Sequence, residues 1–363
     1  METQSSPLHI VLFPFLAHGH LLPLADVARL FALHGVKCTI LTTPGNVTYI
    51  ETTIEQTNEY LKSKNDPGLV PISISLIPFP SAEVGLPDGI ENVSISSTPE
   101  IRHKFFQAFL LLEEPFEQKL KEISPDAFVS DTFYAWSADV SARTCIPRLV
   151  FNGMGLLARC GLDVVYEILE SLPDDVEKFI VPGLPHQFEM HRSQHLFTLK
   201  NKQILSVFKR NNEMDTRSYG EIVNSFLELE ADYAVHWRDV AQRKAWLVGP
   251  VGLCNEKGIE KSSRGGANAS IRTEELLHWL DSKRAGAAVG AKVGGPYFEN
   301  QQLIEVETIK SVIESVVGEG VEGEAMRKRA KVLKEKAKAA VQEGGSSYSD
   351  LKSLIDELKA RRL

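Results

Sequence analysis

Along the first 150 residues, short apolar runs alternate with segments whose apolar positions recur every three or four residues. The run HIVLFPF at 9–15 is predicted as a strand buried on both faces. In 21–34, Leu24, Val27, Ala28, Leu30 and Phe31 fall on helical spacing, and Gly35 stands where a helix C-terminal cap belongs. Residues 36–43, rich in Val, Ile and Thr, predict a second strand, 47–62 a helix, and the alternating 72–77 a third strand. Pro, Gly, Ser and Asn crowd 80–98, which reads as a loop. One long helix is predicted over 99–123, with Phe105, Phe109, Leu112, Phe116 and Leu120 on one stripe. A strand at 126–130, a helix at 134–143 and a strand at 148–151 follow, and further strands at 220–226 and 244–251 flank a helix. Such alternation predicts an α/β fold, a parallel sheet with helices on both faces.

Beyond residue 251 the pattern changes. Glycines, serines and mixed charges without periodicity mark a linker, so the expected organisation is an α/β domain at 1–251, a linker at 252–272 and a second part at 273–363. That second part reads as mainly helical, with helices at 303–317, 324–343 and 347–358, and leaves too little strand-forming sequence for another nucleotide-binding α/β domain. From Glu324 onward there are 11 basic and 6 acidic residues, interleaved. This reads as the solvated face of helices whose apolar stripe is Met326, Ala330, Leu333, Ala337 and Val341, rather than as a nucleic-acid surface.

Composition narrows the classes. The chain has 363 residues, 43% hydrophobic and 24% charged, with a net charge of −8, which fits a two-domain globular protein and not a disordered, collagen-like or strongly basic nucleic-acid-binding one. No stretch of 18 apolar residues occurs, and the polar start with Glu2 lacks the basic region of a signal peptide. A cytoplasmic protein with no membrane insertion is therefore expected. Cys38, Cys145, Cys160 and Cys254 are too far apart for a metal knuckle or redox pair and are expected to be reduced, mostly buried thiols. The sequons at Asn46, Asn92 and Asn268 are expected to be chance matches. Ten histidines without paired ligand spacing predict no metal site.

Ligands of a doubly wound sheet bind at the carboxyl ends of its strands. His20 lies just past the first strand and Asp131 at the end of the fourth. An imidazole oriented by a carboxylate is the usual general base at neutral pH. The plainer alternative is a helix-terminal histidine and an aspartate that caps a strand end. A second constellation, GMGLLA at 153–158, matches the dinucleotide fingerprint after a strand. It would make Gly153 and Gly155 the core of a nicotinamide-dependent oxidoreductase site. It sits in mid-sheet, however, with no acid at the expected spacing, and close helix packing explains the glycines as well.

Several segments together resemble the plant UDP-dependent glycosyltransferases of secondary metabolism. They are FPFLAHGHLLP (13–23), FPSAEVGLP (79–87), DAFVSDTFYAW (126–136), IPRLVF (146–151), VPGLP (181–185), GEIVNSFLELE (220–230), KAWLVGP (244–250) and WLDSK (279–283). The resemblance implies a GT-B-like architecture, with an N-terminal Rossmann-like domain for the acceptor and a C-terminal one for the sugar donor. It implies no cofactor, a UDP-sugar as co-substrate, and inverting transfer, of glucose in the first place, to a hydroxyl of a flavonoid, coumarin or triterpenoid. His20 is then the base and Asp131 its partner, with Phe15, Gly19 and Met154 at the acceptor. The family's donor signature, W-x-P-Q…H-x-x-x-G-x-F-x-T-H-C-G-W-N-S…E…D-Q, is not found here. After Lys283 the chain passes through Arg284-Ala-Gly286 to AAVGAKV (287–293), which resembles family sequence downstream of the signature, and GGSSY (344–348) resembles the family terminus. The chain thus reads as lacking much of the donor domain, with donor-binding residues not identifiable and catalysis in doubt. A non-catalytic acceptor-binding remnant, or a partner of a full-length homologue, is the alternative.

Overall fold

The computed structural model describes residues 6–192, 201–255 and 320–362. Seven parallel strands form one sheet: β1 (His9–Phe13), β2 (Lys37–Thr42), β3 (Ser73–Leu76), β4 (Ala127–Asp131), β5 (Arg148–Phe151), and two whose labels follow a short antiparallel pair, β6 (Lys178–Val181) with β7 (Phe188–His191). Those two are β8 (Gly220–Val223) and β9 (Ala245–Leu247). The order is β3-β2-β1-β4-β5-β8-β9. Central strands alternate between two apolar layers. Ile10, Leu12, Ala127 and Val129 enter one, whereas Val11, Phe13 and Phe128 enter the other. Burial on both faces is why these strands are continuous apolar runs.

The first layer holds α1 (His18–Leu33), α2 (Glu51–Ser63) and, from the far end of the chain, Leu351, Leu354, Ile355 and Leu358. The second holds α3 (Pro99–Leu110), α4 (Glu113–Ile123) and α5 (Ser137–Thr144). The predicted long helix at 99–123 is therefore two. Pro115 would remove one backbone hydrogen bond and crowd the carbonyl four residues back, so the helix restarts at Glu113 and takes Pro115 into its first turn. The stripe from Phe105 to Leu120 is buried as expected. The helix predicted at 47–62 is a short 3-10 turn, Pro44–Tyr49, followed by α2.

Three helices complete the sheet's remaining flank: α6 (Leu156–Ser171), α7 (Lys202–Thr216) and α8 (Leu227–Asp239). The tail supplies α9 (Val321–Val341) and α10 (Ser346–Ala360). On α9 the expected apolar stripe is half-buried to exposed, and Ala340 is instead the fully buried apolar residue. A stripe needs a partner along its whole length. Among the described residues α9 meets α10, α8 and the turn at Val251–Cys254. The linker beyond residue 255, the helix at 303–317 and the segment around 283–293 lie outside the described residues.

The loop at 80–98 is tied down beside β1. Asn46 Nδ2 donates to the Glu91 carbonyl at 2.7 Å, Asn92 Nδ2 to Asn46 Oδ1 at 2.7 Å, and the Val93 amide to the Leu16 carbonyl at 3.0 Å. Both sequon side chains are thus buried and used structurally. Asn268 lies outside the described residues.

Candidate active site

The strand order reverses direction at β1. From it the chain builds outward to β2 and β3 on one side, and through β4 and β5 on the other. The crevice beyond the carboxyl ends of β1 and β4 is therefore the place where such sheets bind ligands. β1 ends at Phe13, Ala17 takes an extended conformation, and α1 starts at His18, three residues earlier than the apolar spacing suggested. His20 consequently stands in the first turn of α1, its amide bonded to the Ala17 carbonyl at 2.9 Å. Asp131 is the last residue of β4.

The two side chains meet. His20 Nδ1 lies 2.7 Å from Asp131 Oδ2. A carboxylate only accepts, so Nδ1 carries the proton and donates it, which leaves Nε2 as the free acceptor. Asp131 is buried, whereas the imidazole keeps about a third of its side-chain surface, 31%, accessible. The other carboxylate oxygen of Asp131 accepts from the Phe133 amide at 3.1 Å. Burial works to lower the imidazole pKa, but the hydrogen bond and charge of Asp131 outweigh it and hold the pKa above its ordinary value. Phe15 and Phe133 meet the imidazole edge-on, with ring centroids at 5.2 and 5.6 Å, and stack on each other at 4.6 Å. The ring's orientation is thereby fixed by packing as well as by Asp131.

A cavity of about 390 Å³ opens at His20. Gly19 and His20 border it from α1, Thr132 and Phe133 from the β4 end, and Asn152, Gly153 and Met154 from the β5 end. Leu162, Tyr166 and Phe208 add an apolar wall, with Tyr166 and Phe208 stacked at 5.6 Å. Of the residues expected at an acceptor, Gly19 and Met154 border this cavity, while Phe15 is buried behind the imidazole. A Cβ on Gly19 would meet no protein atom within 4 Å, so the missing side chain leaves open space there.

Sequence reasoning missed Asn152, Tyr166, Phe208 and the asparagines 211 and 212. Asn152 had a usable signal, because it follows β5 just as Thr132 follows β4, and Asp131 pairs in register with Phe151. It also missed a buried charge network under the cavity wall. Arg159 pairs with both oxygens of Glu221 at 2.9 and 3.1 Å and donates to Asn212 Oδ1 at 2.7 Å. Burial opposes the charge of Arg159, but Glu221 and Asp215 raise its pKa above even the usual guanidinium range. Asp215 accepts from Arg148 at 3.0 Å and from the Thr132 hydroxyl at 2.6 Å. The network thus pins the segment that carries Asp131.

The glycine pattern at 153–158 has a structural explanation. The Leu156 and Leu157 amides at the start of α6 donate to Glu230 at 3.0 and 2.9 Å. The position that a dinucleotide pyrophosphate would take is filled by the protein's own carboxylate. Among the described residues, no group of three or more His, Cys, Asp or Glu side chains could hold a metal ion, and no helix is long and apolar enough to cross a membrane.

No protein-family model matches the chain. It is 40% identical over 313 residues to UDP-glucose flavonoid 3-O-glucosyltransferase 7 of Fragaria ananassa, a match covering 85% of this chain and 62% of the relative. With scopoletin glucosyltransferase of Nicotiana tabacum it shares 39% identity over 287 residues, covering 78% of this chain and 58% of that one. The chain therefore spans about three fifths of the length of the curated relatives it matches. Its fold superposes on the crystal structure of Glycyrrhiza uralensis UGT73P12 complexed with glycyrrhetinic acid 3-O-monoglucuronide. The TM-score is 0.83 at 27% identity, covering 98% of this chain and 96% of that one. The GT-B-like α/β class expected from the sequence agrees with that structure. By these relatives and this fold, the chain belongs to the plant UDP-glycosyltransferase family.

Proposed function

We propose that the α/β domain expected at 1–251 forms the acceptor-activating half of a UDP-sugar-dependent glycosyltransferase whose acceptor is a small hydroxylated plant metabolite. A flavonoid, coumarin or triterpenoid is the class meant, and UDP-glucose the first donor to test. The observation that carries this reading is the 2.7 Å contact between His20 Nδ1 and Asp131 Oδ2 at the mouth of a cavity of about 390 Å³. A hydroxyl is a weak nucleophile until a positioned base takes its proton during attack. His20 Nε2 accepts that proton, and Asp131 stabilises the imidazolium that results. The acceptor oxygen forms a bond to the anomeric carbon from the face opposite UDP, the bond from that carbon to the phosphate oxygen breaks, and UDP leaves with the electron pair. Configuration at the anomeric carbon is thereby inverted.

The donor side of the proposal comes from the sequence. The family's donor signature is not found in the chain. Groups that pair with the pyrophosphate and the sugar stabilise the charge developing in the transition state, so their loss removes turnover and not just affinity. The chain is therefore proposed to bind acceptors and to transfer little sugar unaided, with a full-length homologue as the candidate partner for a donor site.

The test has two parts. Calorimetry with a flavonol, a hydroxycoumarin and a triterpenoid acid measures acceptor binding. Mass spectrometry after incubation with UDP-glucose, with His20→Ala in parallel, measures acceptors that gain one hexose. Acceptor binding with little transfer is the expected result. Failure to bind any member of the panel would sink the acceptor-site reading. Robust transfer abolished in His20→Ala would keep the role of His20 and overturn the proposed loss of donor chemistry.

A further inference from the structure

Three residues of α7 are buried: Leu205, Asn211 and Asp215. Two of them have a structural task. Leu205 packs with Val165, Tyr166 and Leu169, and Asp215 holds Arg148 and Thr132. Asn211 is 6% exposed, yet its carboxamide has no hydrogen-bond partner among the described residues. The adjacent Asn212 differs, because its Oδ1 accepts from Arg159 at 2.7 Å. Asparagine is a weak residue for a helix interior, and burying an unpaired amide adds a desolvation cost. Nothing inside the protein offsets either cost, so the carboxamide of Asn211 answers to a group from outside it.

Asn211 borders the cavity at His20. Neither atom of its carboxamide is sealed off, whereas Asn152 Oδ1 on the same wall is. Positions 208, 211 and 215 recur at helical spacing, so Asn211 stands one turn from Phe208 on one side and one turn from Asp215 on the other. Phe208 stacks on Tyr166 in the apolar wall, and Asp215 accepts from Thr132, the residue after Asp131. The carboxamide is thus a polar point between the apolar wall and the strand end that carries the partner of the base. We propose that Asn211 is a specificity-determining residue: its carboxamide hydrogen-bonds a second polar group of the acceptor, a hydroxyl or ring carbonyl other than the hydroxyl presented to His20. A carboxamide both donates and accepts, so it serves either group without needing a charge on the ligand. Polyhydroxylated polycyclic acceptors are then favoured over simple monophenols. This deepens the acceptor-site reading and rests on it.

The test reads binding and stability, so it does not depend on turnover. The probes are kaempferol, a flavonol with hydroxyls on both ring systems and a ring carbonyl, and 4-hydroxybiphenyl, whose one polar group is its hydroxyl. Asn211→Leu keeps the branched shape and removes the amide. Calorimetry on the full chain is expected to show this variant binding kaempferol about tenfold more weakly than the unmodified chain. Its affinity for 4-hydroxybiphenyl is expected to stay within about twofold. No protein group loses a partner in the variant, so its denaturation midpoint is expected to match or exceed that of the unmodified chain. Asn211→Ala, judged folded by circular dichroism, gives the same affinity readout if the leucine variant is insoluble. Unchanged kaempferol affinity overturns this inference and leaves the acceptor site standing. So do parallel losses for both probes, with or without a lowered midpoint, because they mark an asparagine that only shapes the cavity. An unmodified chain that binds the monophenol and not kaempferol overturns it in the same way. No binding of either probe by the unmodified chain overturns both readings.

Discussion

The carboxylate of Glu230 reaches the start of α6 because residue 155 is glycine. A Cβ at position 155 would lie 2.7 Å from both oxygens of Glu230, which accept from the Leu156 and Leu157 amides. Glu230 itself stands at a break in α8, with a non-helical backbone at φ −132° and ψ 33°. The first amides of a helix have no partner inside it, and a carboxylate there satisfies donors and complements the helix dipole. Gly155→Ala pushes this cap away, and Glu230→Gln keeps its shape without its charge. The alanine variant is expected to lose about 1–2 kcal/mol of stability and the glutamine variant less, read as shifts in the denaturation midpoint. An increase in nicotinamide-dinucleotide binding by either variant would show that the site tolerates a pyrophosphate after all.

Asp215 supports the site from below. Its side chain is fully buried between Arg148 at 3.0 Å and Arg159 at 3.7 Å, and it accepts from Thr132 at 2.6 Å. Removing one member of a buried charge network leaves the others uncompensated. Asp215→Ala is therefore expected to cost roughly 3–5 kcal/mol. Thr132→Val removes a single neutral donor and is expected to cost about 1 kcal/mol. Chemical denaturation measures both. An Asp215→Ala variant as stable as the parent would mean that Arg148 is adequately held by Ser130, Ser218 and the Met214 carbonyl, its contacts at 2.8, 2.7 and 3.3 Å.

The sheet was legible in the sequence because its central strands are apolar on both faces and short, so nothing else competes for those runs. The same cue fails at β6 and β7, whose side chains are largely exposed: β6 has a short apolar run at Phe179, Ile180 and Val181, and β7 has none. His20 and Asp131 were legible for a topological reason: strand-end polar residues near the reversal in strand order are few. That rule, carried one strand further, would have named Asn152. It could not have named Tyr166 or Phe208, which reach the cavity from α6 and α7 at positions with no fixed offset from a strand end. Nor could it have placed Asp215, since ion pairs between residues as distant as Arg148 and Asp215 leave no local spacing to read.

Two histidines are expected to titrate in opposite directions. His20 has its pKa raised in the folded protein, with Asp131 outweighing burial. It therefore adds stability that is full below its unfolded value near 6.5 and is lost as pH rises through its folded value. Above that value the imidazole is neutral and able to accept a proton. For His9, burial and then the charge of Lys37 lower the pKa to about 4, against the pull of Asp126. The folded state resists protonation there, so His9 removes stability as pH falls from about 6.5 toward 4. Imidazole C–H resonances followed by NMR should show one midpoint above 6.5 and one near 4. In Asp131→Asn the higher midpoint should fall. A His20 midpoint unmoved by that change would remove Asp131 as the cause.

The last helix belongs to the core of the first 255 residues. Leu351, Leu354, Ile355 and Leu358 pack with Ile10, Leu12 and residues of α1, and Leu354 has no exposed surface. Polar contacts fix its register: Asp350 accepts from the Leu247 amide at 2.8 Å, Ser347 donates to the Gly249 carbonyl at 2.6 Å, and Glu357 bonds Tyr219 and Lys244. At the end, Arg362 pairs with Asp126 at 2.6 Å, so residues 236 apart in sequence close the layer. Leu354→Ala deletes fully buried methyl groups from a packed layer, and the expected cost is about 2–5 kcal/mol. Val332 on α9 is 51% exposed, and Val332→Ala is expected to change stability by about 0.5 kcal/mol or less. Denaturation followed by the fluorescence of Trp246, which packs in the same layer, reports the effect on the sheet and not on the helix alone. Single-tryptophan variants retaining Trp246 isolate that signal. A Leu354→Ala transition that coincides with the parent at Trp246 would mean that α10 adds no stability to the sheet it covers.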